Sequence, residues 1–83
     1  MAAKLPKRIK LTERKLGREG ALGLAIAPDE VVIAPQPPRE RLDTTIHEGL
    51  HLLLPDADEL SIRAYANRLS ALLWLDGWRR VEK

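Results

Sequence analysis

The sequence TTIHEGLHLLL occupies residues 44–54 and decides the fold of the second half of the chain. Within it and just before it, apolar residues and one glycine recur at intervals of three and four, at Leu42, Ile46, Gly49, Leu50 and Leu53. This spacing is typical of one face of an α-helix. Pro38 suits the first turn of such a helix, and Pro55 ends it because the residue before a proline leaves the helical region. The sequence therefore predicts a helix from Pro38 to Leu54, within residues 37–55.

A second helix is predicted beyond Pro55, within residues 56–77. It begins near Asp56–Asp58, where an aspartate can cap its amino end, and Gly77 is placed to end it. Its predicted buried stripe consists of Ile62, Tyr65, Ala66, Leu69, Leu72 and Leu73. Trp74 and Trp78 are expected to belong to the core and to packing near the carboxyl terminus.

The first half, residues 1–36, alternates apolar with polar or small residues as β-strands do. The predicted strands are Arg8–Thr12, Ala21–Ala27 and Val31–Ala34. The small residues Ala21, Gly23 and Ala25 on one side of the second strand indicate that another element approaches it closely. We therefore expect an α+β domain, in which a small three-stranded, mostly antiparallel sheet, arranged as a meander, precedes two helices.

Composition sets further limits on this chain. Its 83 residues, 45% of them hydrophobic, suffice for one compact domain, and the absence of cysteine excludes disulfides and thiolate metal sites. No apolar run approaches the roughly 20 residues of a membrane span, so we expect a cytoplasmic protein without membrane contact. Basic residues concentrate in residues 1–20, at Lys4, Lys7, Arg8, Lys10, Arg14, Lys15 and Arg18. Such a segment can contact nucleic acid or an acidic partner, although a solvated strand face is the simpler interpretation.

The two histidines of the chain, His47 and His51, lie four residues apart on the first predicted helix. With Glu48 they form the His-Glu-x-x-His pattern of zinc metallopeptidases. Four residues are about one helical turn, so both imidazoles can reach one tetrahedral metal ion. Glu48 projects about 100° around the helix, where its carboxylate can take a proton from a zinc-bound water that attacks a carbonyl.

A catalytic zinc site needs a third protein ligand and one open position. The candidates are the carboxylates just beyond Pro55, on Asp56, Asp58 and Glu59. Glu59 is preferred because it opens a helix and so has a rigid base, whereas the aspartates are better suited to capping. The alternative is that all three acids only stabilise the amino end of the second helix.

Residues 42–51, the acidic pair Asp58 and Glu59, and the ending WLDGW at residues 74–78 together resemble the small single-domain metallopeptidases of phages and prophages. More distantly they resemble SprT-like and ImmA/IrrE-like zincins. The resemblance covers roughly residues 40–80 and implies a minimal zincin-like core. It also implies that His47, His51 and Glu59 are zinc ligands and that Glu48 is the general base. Gly49 departs from the larger apolar residue usual in that family, and we expect it to let a strand pack close to the helix.

The expected function is that of a zinc-dependent metallopeptidase, which hydrolyses peptide bonds with a zinc-bound water activated by Glu48. A peptide or protein substrate would add as a strand to an exposed sheet edge, for which Val31–Ala34 is the candidate. The alternative is a non-catalytic binding module that zinc stabilises, with the basic segment contacting nucleic acid or a protein partner. A glutamate next to the first ligand favours the enzyme, because a purely structural site has no need of it.

Overall fold

The computed structural model describes residues 5–17 and 21–81. Its elements, in chain order, are β1 (Lys10–Glu13), β2 (Gly23–Ile26), β3 (Glu30–Ile33), α1 (Pro38–Leu53) and α2 (Glu59–Leu75). The prediction of an α+β domain with a three-stranded sheet followed by two helices is confirmed. Lys4 and Arg18 of the basic segment lie outside the described residues.

The order of the strands in the sheet is β1-β3-β2 and does not follow the chain. The hairpin of β2 and β3 is antiparallel, whereas β1 pairs with β3 in parallel. The expected meander is therefore wrong, and so is the expected edge at Val31–Ala34. The physical reason is burial, because the side chains of Val31, Val32 and Ile33 are at most 1% exposed. A continuous β-branched run is typical of a buried strand, and here β3 lies between β1 and β2 and contacts α1.

The ends of both helices follow the predicted signals. Pro38 is the first residue of α1, and α1 ends at Leu53, two residues before Pro55. Asp58 caps α2, because its side chain accepts a hydrogen bond of 2.6 Å from the Ser61 N–H. Gly77 follows α2 with a φ of +89°, a conformation that glycine adopts without steric cost.

Helix α1 lies between the sheet and α2, and it contacts β2, β3 and α2. The buried face of α2 consists of Ile62, Ala66 and Ser70. Part of the predicted stripe is therefore wrong, since Tyr65, Leu69 and Leu72 are 43–61% exposed. Leucines occur on several sides of α2, so the apolar spacing alone did not define which side packs on α1. Within residues 5–17 and 21–81, no helix is long and apolar enough to span a membrane.

Candidate metal centre

The two histidines of α1 project side by side from successive turns of the helix. Their ring centroids are 5.0 Å apart and their planes are inclined by 55°. The Nε2 atoms of His47 and His51 are 3.2 Å apart. Both rings are half-buried, so the surrounding chain restricts their orientation while the Nε2 atoms remain at the surface of the site.

Glu59, the first residue of α2, places its carboxylate against both imidazoles. Its Oε1 atom lies 2.9 Å from Nε2 of His47, and its Oε2 atom lies 2.9 Å from Nε2 of His51. The turn at Pro55 brings the amino end of α2 back to the carboxyl end of α1, and the Asp58 cap fixes the base of Glu59. The structure thus brings together the three residues predicted from sequence, His47, His51 and Glu59, with donor atoms within 4.8 Å of one another.

The two aspartates considered as alternatives to Glu59 do not join this cluster. Among the described residues, the group of possible metal donors contains neither Asp56 nor Asp58. The carboxylate of Asp58 accepts the hydrogen bond from the Ser61 N–H, and this bond lowers the pKa of Asp58 below its ordinary value. The sequence therefore ranked the three acids in the order that the fold supports.

The chemistry of the three donors fits a bound cation better than a set of hydrogen bonds. If both Nε2 atoms carry a proton and donate to an ionised Glu59, the two N–H groups face each other across 3.2 Å. If one Nε2 atom is unprotonated, its lone pair faces a carboxylate oxygen at 2.9 Å. With an ionised Glu59, at least one close contact is thus unfavourable whichever Nε2 atoms carry a proton. A cation that accepts one lone pair from each residue removes this conflict.

The spacing of the donors is close to that of a tetrahedral zinc site. With zinc bonds of about 2.0–2.2 Å, neighbouring donors in a tetrahedron are about 3.3–3.6 Å apart. The separations here, 2.9, 2.9 and 3.2 Å, need to increase by roughly 0.1–0.7 Å to reach these values. Two imidazoles and one carboxylate are also a donor set of catalytic zinc sites, which keep the fourth position open. The residues present therefore fit zinc.

Glu48 lies beside this cluster, and its Cγ atom packs against the sheet. Gly23 in β2 faces Glu48 directly, since a Cβ atom built on Gly23 would be 2.9 Å from Cγ of Glu48. Burial raises the pKa of the Glu48 carboxyl above its ordinary value, and the negative charge of Glu59 adds to this increase. Positive charge on His47 and His51 acts in the opposite direction. A carboxylate with a raised pKa is better matched to accepting a proton near neutral pH.

Residues that the sequence reasoning missed hold α1 against the sheet. The Gln36 side-chain amide donates to the carbonyl oxygens of Ala34 at 2.8 Å and Leu22 at 3.2 Å. Its Oε1 atom accepts a 2.7 Å hydrogen bond from the Thr44 hydroxyl, one turn before the histidines. Gln36 therefore connects α1 to the residues that flank β2 and β3. Its position between two prolines in the sequence gave no signal of this role.

The predicted role of Gly49 is wrong. A Cβ atom built on Gly49 would meet no atom within 4 Å, so no strand packs against it. The close approach between sheet and helix occurs at Gly23 instead, where a Cβ atom would come 2.7 Å from Cγ2 of Thr44. This confirms that the small residues of the second predicted strand mark a close contact.

Comparison of the chain with protein-family models, with curated proteins and with solved structures found no match.

Proposed function

We propose that this chain is a zinc-dependent metallopeptidase, with His47, His51 and Glu59 as metal ligands and Glu48 as general base. The observation that carries the proposal is the convergence of three electron-pair donors from two helices, with a second carboxylate, that of Glu48, next to them and not part of the cluster. Half-exposure of the Glu59 side chain supports an open position that a substrate can reach from solvent.

A zinc ion at this site would polarise the substrate carbonyl and lower the pKa of a water molecule towards about 7. Glu48 would take a proton from the attacking water while the oxygen forms a bond to the carbonyl carbon. The same carboxyl would then give the proton to the leaving amine as the carbon–nitrogen bond breaks. Arg63 lies on the solvent side of Glu59, with its Nη2 atom 3.9 Å from Oε1, a distance at which an exposed ion pair contributes little.

The edge strand β2 is the best candidate for binding an extended substrate. The Ala34 N–H donates to the Leu22 carbonyl at 2.8 Å, so these two residues form a hydrogen-bonded pair of the antiparallel ladder. Because such pairs alternate along a strand, the N–H and C=O groups of Gly23 and Ala25 point away from β3, towards the edge. A peptide added there would pass next to Glu48, since Glu48 lies against Gly23.

The test combines metal content with hydrolysis. Untagged protein is measured by elemental mass spectrometry for the wild type, His51→Ala and Glu59→Ala, with Asp56→Ala as the matched acidic control. We expect one zinc per chain in the wild type and in Asp56→Ala, and a loss in the other two. Glu48→Gln should keep zinc, and its rate of hydrolysis of fluorescein-labelled casein should be at least about 100-fold lower than that of the wild type. Equal hydrolysis by Glu48→Gln and wild type would refute the proposal.

A non-catalytic binding module that zinc stabilises is the second candidate. The observation in its favour is the exposure of Lys7, Arg8 and Lys10 on or next to β1, which lies at the other edge of the sheet. Under this alternative, zinc would join α1 to α2 and its binding free energy would become folding free energy. Binding to a random-sequence DNA duplex, weakened by Arg8→Gln but not by Glu48→Gln, would favour it over the enzyme.

A further inference from the structure

A second concave site lies at the opposite end of the helix pair from the metal centre. The amino-terminal half of α1 and the carboxyl end of α2 enclose a cavity of about 460 Å³, a size typical of ligand pockets. Its apolar floor contains Leu42, Leu73 and Trp74. None of His47, His51 and Glu59 lines the cavity, and Thr45, the lining residue of α1 nearest to His47 in sequence, projects about 200° around the helix from it. The cavity is therefore separate from the candidate metal centre.

The walls of this cavity carry an excess of positive charge. Arg41, Arg79 and Arg80 line it, and no acidic residue does so in the part of the chain that the structure describes. Glu13 lies 3.5 Å from both Arg41 and Arg80, so one carboxylate faces two of the three guanidinium groups. At 3.5 Å these contacts are longer than charge-assisted hydrogen bonds, and the buried Nε atom of Arg41 has no hydrogen-bond partner among the described residues.

Arg79 is held in place without a carboxylate. Its guanidinium carbon lies 3.4 Å from the centroid of the Trp74 ring, and its Nη1 atom donates to the carbonyl oxygens of Trp74 and Trp78 at 2.9 Å each. Within residues 5–17 and 21–81, Arg79 forms no ion pair. A preorganised cation next to an apolar floor is suited to an anionic group attached to an apolar one.

The prediction that both tryptophans pack into the protein is wrong for Trp78. Trp78 is 62% exposed, although its indole N–H donates to Asp76. It stands beside the cavity and contributes apolar surface at the opening. Exposed tryptophan and arginine side chains around a pocket are typical of the strongest contacts in protein interfaces.

We propose that this cavity docks an acidic peptide segment of a protein partner, which inserts one large apolar side chain between Leu42, Leu73 and Trp74. Carboxylates on either side of that side chain would meet Arg79 on one wall and the Arg41 and Arg80 pair on the other. Arg41 lies on α1 and pairs with the same Glu13 as Arg80, whereas Arg79 lies over Trp74, so a ligand that pairs with all three needs carboxylates at separate points along its length. A peptide with an apolar residue between acidic residues provides this arrangement, whereas a small monoanion satisfies one wall only.

The experiment uses an acetylated and amidated pentapeptide that has leucine at its centre and two glutamates on each side. Binding is followed by the fluorescence of Trp74 and Trp78, the two tryptophans of the chain. Two further peptides serve as controls, one with glutamines in place of the glutamates and one with alanine in place of leucine. We expect saturable binding of the first peptide, at least about tenfold weaker binding of each control, and weakening with added salt.

Arginine variants of the protein locate the site. Arg80→Gln removes a lining charge whose described partner is Glu13, and Arg68→Gln is the matched control on the exposed side of α2. We expect about fivefold weaker binding for Arg80→Gln and an unchanged affinity for Arg68→Gln. Arg79→Gln should weaken binding further, but it also removes hydrogen bonds to two carbonyls, so circular dichroism is needed to check that it folds.

The titration is repeated with His51→Ala and with a chelator present, in order to separate this site from the metal centre. Both should leave the affinity unchanged, so a failure of the zinc proposal does not affect this one. Equal affinity for the glutamate and glutamine peptides would overturn the proposal. The same holds for equal weakening by Arg80→Gln and Arg68→Gln, or for no saturable change up to about 1 mM peptide.

Discussion

Gly23 and Glu48 are in such close contact that a single methyl group on Gly23 would come within 2.9 Å of Cγ of Glu48. The same methyl group would also meet Cγ2 of Thr44 at 2.7 Å and the carbonyl oxygen of Val32 at 3.3 Å. Glu48 therefore rests directly on the backbone of β2. This contact sets both the separation of α1 from the sheet and the position of the proposed general base relative to the edge strand.

The substitution Gly23→Ala is expected to impair the base more than the metal site. The added Cβ has no free space, so α1 must move or Glu48 must change its rotamer, at a cost of about 1–3 kcal/mol in the free energy of unfolding. None of the three atoms nearest to that Cβ belongs to His47, His51 or Glu59, so these residues should still bind zinc. Denaturant unfolding, zinc content and casein hydrolysis measure the three effects. Loss of zinc with unchanged stability would contradict this interpretation.

The substitution Gly49→Ala should have the opposite effect on stability. A Cβ atom at this position meets nothing within 4 Å, and Gly49 lies in the interior of α1. Alanine should therefore raise the free energy of unfolding by about 0.5–1 kcal/mol, because it reduces the conformational entropy of the unfolded chain. Denaturant unfolding of the metal-free protein measures this change. A destabilised Gly49→Ala variant would mean that the helix needs a distortion there that glycine permits.

Local signals predicted the cluster of His47, His51 and Glu59, because these residues are close in sequence. His47 and His51 share a helix face through their spacing, and only the turn at Pro55 separates that helix from Glu59. The ends of both helices are also marked by local signals, which are a proline, an aspartate cap and a glycine. What the sequence could predict was therefore set by interactions within about one or two helical turns.

Non-local choices were not predictable in the same way. The position of β1 beside Val31–Ile33 goes with the burial of β3. Alternation of apolar and polar residues within a strand does not indicate which strands lie next to it in the sheet. In α2, leucines at positions 60, 69, 72 and 75 are exposed, so several faces are equally apolar by pattern. The face of α2 that packs on α1 is the one that carries the small residues Ala66 and Ser70, because they let α1 approach. Apolar periodicity does not identify such residues. Ser70 also accepts a hydrogen bond from Arg39 of α1.

Asp58 is expected to give the fold a stabilising contribution that depends on pH. The hydrogen bond from the Ser61 N–H lowers its pKa in the folded state, so this contribution is present above the unfolded pKa of about 3.9. It is lost as the pH falls through the lower folded value. Asp58→Asn keeps a capping oxygen but does not titrate. The stability of Asp58→Asn relative to the wild type should therefore increase as the pH is lowered from 5 to 2. Denaturant unfolding of the metal-free proteins measures this change. A constant difference across this range would exclude the capping charge as the cause.

Glu48→Gln is expected to stabilise the metal-free protein at neutral pH, although it removes activity. Burial raises the pKa of Glu48 in the folded state, so folding favours the protonated carboxyl. That preference is fully present below the unfolded pKa of about 4.3 and is lost as the pH rises through the folded value. Glutamine resembles the protonated form at every pH. The advantage of the variant should therefore grow from pH 4 to pH 7 in the presence of a chelator, as measured by thermal unfolding. If the stability advantage of Glu48→Gln over the wild type is smaller at pH 7 than at pH 4, the pKa of Glu48 is not raised by folding.

Zinc is expected to stabilise the folded protein by mass action, because its ligands come from both α1 and α2 and meet only when the helices are packed. At a free zinc concentration of about 100 times the dissociation constant, the stabilisation is about 2.7 kcal/mol. The melting temperature should rise with zinc in the wild type and remain constant in Glu59→Ala. Arg63→Gln, which removes a distant ion pair of Glu59 at 3.9 Å, is the control that should still respond. Acid should reverse the effect, since protonated imidazoles cannot bind the ion. A melting temperature that does not respond to zinc or to a chelator would show that the three donors contribute nothing to folding through a metal.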